Sequence, residues 1–167
     1  MNGLTNSVHS QNPSCLILMV GLNRSNMARK NLVKIEDDFQ GMLFGIAAQV
    51  KDYQLCWNLN RLFGFDLKRM DDIEIIHRKK NKTSVFSLYR FEDDLDKCIV
   101  NVVSNKYLGE FLIPEIKQAD YFLILHGEFA EDRVDEIVHR LKNISAVQMT
   151  IPVNYSGLKS KKNLIFE

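Results

Sequence analysis

Apolar residues along the chain switch between two spacings. "KNLVKIED" alternates apolar and polar positions after Met27 and predicts a first strand. "GMLFGIAAQV", Gly41 to Val50, is mostly apolar and predicts a buried strand despite its glycines. In "KDYQLCWNLNRLFGF" the spacing becomes helical: Leu55, Leu59, Leu62 and Phe63 share a face, and Cys56 and Trp57 widen it. Asp52 is placed to cap this helix and Gly64 to close it. Arg61 is its only charge between Tyr53 and Phe63, so cover on more than one side is expected, with one flank left for a partner or a second copy.

Short strands separated by polar turns follow. "FDLKRM" leads to "IEIIHR", and the turn Lys79 to Lys82 leads into "TSVFSLYRFE". The turn Asp93 to Asp96 then leads into "KCIVNVVSNKYL". "TSVFSLYRF" carries apolar residues on both faces. Next come the strand "YFLILHG" and the helix "EDRVDEIVHRLKNI". That helix has Val134, Ile137, Val138, Leu141 and Ile144 as its stripe, acids first and bases last. "AVQMTIPV" predicts a last strand before a polar tail.

This order predicts one α+β domain over residues 27–167: a single antiparallel-rich sheet with two helices on one face. A ferredoxin-like core with extra strands is one way to build it. Residues 1–26 open on "MNGLTNSVHSQNPS", which is polar and aperiodic, and Met27 reads as a fresh start. A dispensable tail, or an over-extended start, is therefore expected there.

Composition narrows the class. At 167 residues, 46% hydrophobic and 26% charged, the chain suits a folded domain with a core. A net charge of +1 supplies no global attraction to nucleic acid or anionic lipid. Cys15, Cys56 and Cys98 form no C-x-x-C pair, so buried thiols in a reducing cytoplasm are expected. The early apolar run "LILMV" is too short to span a bilayer or serve as a signal core, which also points to the cytoplasm.

No reaction is written in the spacing. His9, His77, His126 and His139 have no ligand spacing, so no metal or other cofactor is expected. There is no nucleophile elbow and no P-loop. Three carboxylates, Glu115, Asp120 and Glu128, lie close together in sequence, and paired carboxylates can do acid–base work if they converge. Arg78, Lys79, Lys80 and Lys82, followed by Phe86, Tyr89, Arg90 and Phe91, interleave charge with aromatic rings, as does "YSGLKSKKNLIF" later on. That pattern fits RNA, although "EDDLD" beside the same hairpin offsets the charge.

One stretch remains, "FLIPEIKQADYFLILHGE", Phe111 to Glu128. Pro114 forces Ile113 to be extended and can start a single turn; Asp120 can turn the chain, and Tyr121 opens a strand. It therefore reads as a device for entering a strand, with the Glu115 carboxylate the part this leaves least explained. "IPEIKQADY" resembles the signature of the bacterial IPExxxVDY family: Ile113, Pro114, Glu115, Asp120 and Tyr121 match, and Ala119 stands in place of valine. "DYQLCWNLNRLFGFDLKR" and "LKSKKNLIFE" resemble that family too, so the likeness runs from about Met27 onward. The resemblance brings no reaction, ligand or partner with it. The expected function is a small cytoplasmic, non-catalytic binding or regulatory module acting through protein contacts, as a homodimer or with another protein. The alternatives are an RNA-associated protein using the basic hairpin and tail, and an enzyme using Glu115 and Asp120.

Overall fold

The computed structural model describes residues 41–77, 81–93, 98–127 and 134–165. The expected tail and the "KNLVKIED" strand lie outside them. In chain order the elements are β1 (Gly41–Ala47), α1 (Asp52–Phe63), β2 (Lys68–Arg69), β3 (Ile73–His77), β4 (Lys82–Phe86), β5 (Leu88–Asp93), β6 (Cys98–Ser104), β7 (Lys106–Tyr107), β8 (Glu110–Phe111), β9 (Tyr121–His126), α2 (Val134–Lys142) and β10 (Met149–Pro152).

Six strands form the main sheet in the order β10-β1-β9-β6-β5-β2, every neighbouring pair antiparallel. The four strands β10-β1-β9-β6, with α1 following β1 and α2 joining β9 to β10, have the β-α-β-β-α-β order of a ferredoxin-like core. β5 and β2 extend it. Two small ladders, β3–β4 and β7–β8, stand apart, so the expected single sheet is one large sheet with two hairpin ladders.

Both faces of the sheet are buried, and each strand's alternation serves both. From β9, Tyr121, Leu123 and Leu125 point to the helices, while Phe122 and Ile124 point the other way. On the helix face they meet Leu55, Leu59 and Phe63 of α1 and Ile137 and Leu141 of α2. The opposite face, here the coil face, is covered by Leu112 and Ile113, by Phe86 and by Tyr155, Leu158 and Leu164. A strand buried on both sides reads as a continuous apolar run, as "YFLILH" does.

Four expectations need correction. Asp52 is the first helical residue, not the cap. Lys51 precedes the helix, and its N–H donates to Gln54 Oε1 at 3.2 Å, while Asp52 accepts from the Tyr53 N–H and pairs with Arg69 at 3.0 Å. "TSVFSLYRFE" is two strands, because the chain leaves the β3–β4 ladder and enters the main sheet at Ser87, whose N–H donates to Ser104 Oγ at 2.8 Å. The polar tail after β10 is folded: Tyr155–Gly157 and Lys161–Leu164 are 3₁₀ turns, with Tyr155, Leu158 and Leu164 buried. Cys56 is a free, buried thiol, but Cys98 is disulfide-bonded, its partner lying outside the described residues.

Gly64 does close α1, with φ at 73° and its N–H donating to the Asn60 carbonyl at 2.8 Å. No described helix is long and apolar enough to cross a membrane.

Candidate functional site

The stretch from Leu112 to Tyr121 is organised by a residue outside it. Asn105 follows β6, and its N–H donates to the Asp120 carbonyl at 2.8 Å. Its side chain is fully buried and satisfied three times. Oδ1 accepts from the Ile113 N–H at 2.8 Å, and Nδ2 donates to the carbonyls of Ile116 and Ala119, both at 2.9 Å. One amide thus takes the backbone groups that an irregular, buried segment cannot place in a ladder. Asn105 was missed in the sequence because a lone asparagine between "VVS" and "KYL" looks like a turn residue.

Around this amide the matched residues each hold a different part of the chain. Ile113 is buried under the coil face, and its carbonyl accepts from the Ile116 N–H at 3.1 Å, the turn that Pro114 was expected to start. Pro114 and Glu115 are exposed. Glu115 Oε1 accepts from the Ser160 N–H at 2.8 Å and so pins the start of the 3₁₀ turn Lys161–Leu164. Its burial, slight as it is, pushes the carboxyl pKa up. Hydrogen bonds from its own amide, from the Ser160 amide and hydroxyl and from the Lys159 amide outweigh that and hold it below its ordinary value. Nearby, Asn163 Nδ2 donates to the Leu112 carbonyl at 2.8 Å, a second tie to the same turn.

Asp120 and Tyr121 hold the link from β1 to α1. Asp120 Oδ2 accepts from the Ala48 N–H at 2.9 Å, and Oδ1 takes the Lys106 ammonium at 2.5 Å. The Tyr121 hydroxyl donates to the Val50 carbonyl at 2.5 Å. Burial first, then the charges of Asp52 and Asp120, push the Tyr121 pKa up to about 12. The phenol therefore stays protonated and keeps donating. Gly45 completes the arrangement: a Cβ there would lie 3.2 Å from the Ala119 Cβ and 3.2 Å from Ile151 Cγ1, so the missing side chain lets the turn settle on β1.

Glu115 and Asp120 are therefore both engaged, with different partners on different segments. They do not converge on a common point of reaction. Glu128 lies outside the described residues. Among the described residues no group of three or more His, Cys, Asp or Glu side chains could hold a metal.

The remaining candidates lie elsewhere. Trp57 is 56% exposed on α1, with the Arg61 guanidinium 4.7 Å from the centre of its ring. Tyr53, one turn earlier, is 59% exposed. The expectation that α1 is covered on more than one side is thus corrected: Leu55, Cys56, Leu59 and Phe63 are buried and the aromatic flank is open. Arg78, Lys79 and Lys80 lie outside the described residues. Lys82 is paired with Glu110 at 3.8 Å. The aromatic residues that would stack bases are occupied: Phe86 is fully buried, and Tyr89 and Phe91 pack against the helix-face core. No protein-family model matches the chain, and no curated protein matches it.

Proposed function

We propose that this protein is a small, non-catalytic binding or regulatory module that acts through protein contacts made by α1. The observation that carries this reading is the pair Tyr53 and Trp57, four residues apart on one exposed flank of a helix whose other side is core. Two large rings left in water beside an arginine have the composition of an interface anchor: aromatic and arginine side chains dominate the energetics of contact surfaces. Met70, 42% exposed, follows Arg69, which is tied to the first turn of α1 through Asp52, and it widens the surface at that end. The engagement of Glu115 and Asp120 in structural hydrogen bonds supports the absence of catalysis at the signature.

A second copy of the chain is the simplest partner. The bacterial IPExxxVDY family is the proposed kin, on the strength of the matched residues from Ile113 to Tyr121, while the Cys98 disulfide counts against the reducing cytoplasm expected from the sequence. On this reading the family signature is the node that holds α1 in place, and α1 does the binding.

Sedimentation velocity on the wild type and on a Tyr53→Ala, Trp57→Ala double variant tests the proposal. The expected result is a dimer at micromolar concentration that becomes a monomer in the variant with its melting temperature unchanged. For a different partner, the variant loses a co-purifying protein that the wild type retains. A wild-type monomer at millimolar concentration, together with identical co-purifying proteins for both forms, overturns it. Co-purifying RNA released by salt points to the basic hairpin instead.

A further inference from the structure

The coil face is apolar over most of its area, but one end carries polar side chains from three adjacent strands. The register sets Arg90 of β5 beside Asn101 of β6, and Asn101 beside Ile124 of β9. His126 lies two residues beyond Ile124, on the same face, diagonal to Asn101. Asn101 is 1% exposed. Its Oδ1 accepts from Arg90 Nε at 3.1 Å, while its Nδ2 has no hydrogen-bond partner. The amide cannot simply be turned over, because that would set Nδ2 against the Arg90 N–H, donor against donor. Arg90 Nε also lies 3.4 Å from Glu92 Oε1, and the terminal Nη groups make no hydrogen bond to the described residues.

Such an arrangement is costly if it has only a structural purpose. A buried amide N–H without an acceptor loses its hydration for nothing, and leucine would fill the same place between β5 and β9 without that loss. We propose that Arg90, Asn101 and His126 form a binding site for a small oxyanion, a carboxylate or a phosphate group.

The chemistry selects that class. Among the described residues Asn101 Nδ2 and the Arg90 terminal nitrogens are donors with no acceptor between them, and the guanidinium fork matches two oxygens of one group. A metal cation is repelled by the same set. Glu92 is the internal rival, but its side chain is 52% exposed and reaches only Nε, a weak pairing that leaves the terminal nitrogens for the ligand. Burial first, then the Arg90 charge, lowers the His126 pKa, so at neutral pH its ring is uncharged and adds no competing charge. A bound anion offsets the Arg90 charge, which makes His126 a reporter: its titration midpoint must rise when the site fills.

NMR of isotope-labelled protein tests this directly, with sodium acetate and sodium phosphate as probes and sodium chloride holding ionic strength constant. The expected result is a saturating shift of the Asn101 side-chain amide, about tenfold tighter for one oxyanion than for chloride. The His126 midpoint rises at the same time. Tighter acetate binding assigns a carboxylate ligand and tighter phosphate binding a phosphate ligand. Arg90→Gln and Asn101→Leu abolish the shift while keeping the fold. Should either variant fail to fold, the chloride comparison on the wild type decides alone. A shift that is linear in concentration, or equal with chloride, means an adventitious ion only and overturns the proposal.

Discussion

Asn105→Ala is the substitution with the largest expected effect for its size. It removes three hydrogen bonds made by one fully buried amide, and it strands three groups: the Ile113 N–H and the Ile116 and Ala119 carbonyls. Each stranded buried group costs about 1–3 kcal/mol, the lost bond included, and the lower end applies where water enters the space left by the amide. The sum is about 3–5 kcal/mol. For a domain of this size that lowers the melting temperature by roughly 10 °C. Thermal and urea unfolding followed by circular dichroism measure it. Asn105→Asp sharpens the test, because it keeps the acceptor for Ile113 but turns an oxygen toward two carbonyls. That geometry raises the folded-state pKa of the new carboxyl, so the variant is hurt most at neutral pH. Its deficit should narrow as pH falls toward about 3.9 and the carboxyl regains a donor. An alanine variant within about 1 kcal/mol of wild type would refute the view that this amide organises the turn.

Three further outcomes follow from other contacts. Glu115→Gln keeps the acceptor for Ser160 and should cost little, whereas Glu115→Ala should cost about 1 kcal/mol and speed amide exchange at Ser160, as hydrogen exchange will show. Because the Glu115 carboxyl is held below its ordinary value of 4.5, its contribution is present above that pH and lost as pH falls through the lower folded value; the wild type's advantage over the variants should therefore narrow in acid. Gly45→Val forces a side chain into the Ala119 and Ile151 contacts and should cost about 1–3 kcal/mol in urea unfolding. Cys56, whose pKa burial and then Asp52 push up to about 12, should resist iodoacetamide in the native protein and react within minutes of unfolding; rapid native labelling would show α1 to be loosely held.

The sequence was most informative where periodicity alone decides structure. The stripe of α1, the closure at Gly64 and the apolar run of β9 all predict what is found, and together they imply antiparallel α+β packing. What it hid depends on register. Arg90, Asn101 and His126 sit far apart in the chain and meet only because β5, β6 and β9 align them. Ser87 gives no sign of ending a strand, since residues on both sides of it are apolar at alternate positions. Between Ile113 and Tyr121, the strand-entry geometry could be read from Pro114 and Tyr121, but the partners of Glu115 and Asp120 could not. Ser160 is 45 residues from one and Ala48 is 72 residues from the other.

The covering of the coil face also sets a timetable for synthesis. Phe122, Ile124, Leu112 and Ile113 leave the ribosome before Tyr155, Leu158 and Leu164 exist to cover them, and β1 must wait for β10, with Phe44 opposite Pro152. The growing chain therefore carries a half-dressed sheet, sticky on one side and open at one edge, until those later residues have been made. Ribosome pausing ahead of Tyr155 would lengthen that exposure, and a chaperone that recognises apolar strands would find its target there.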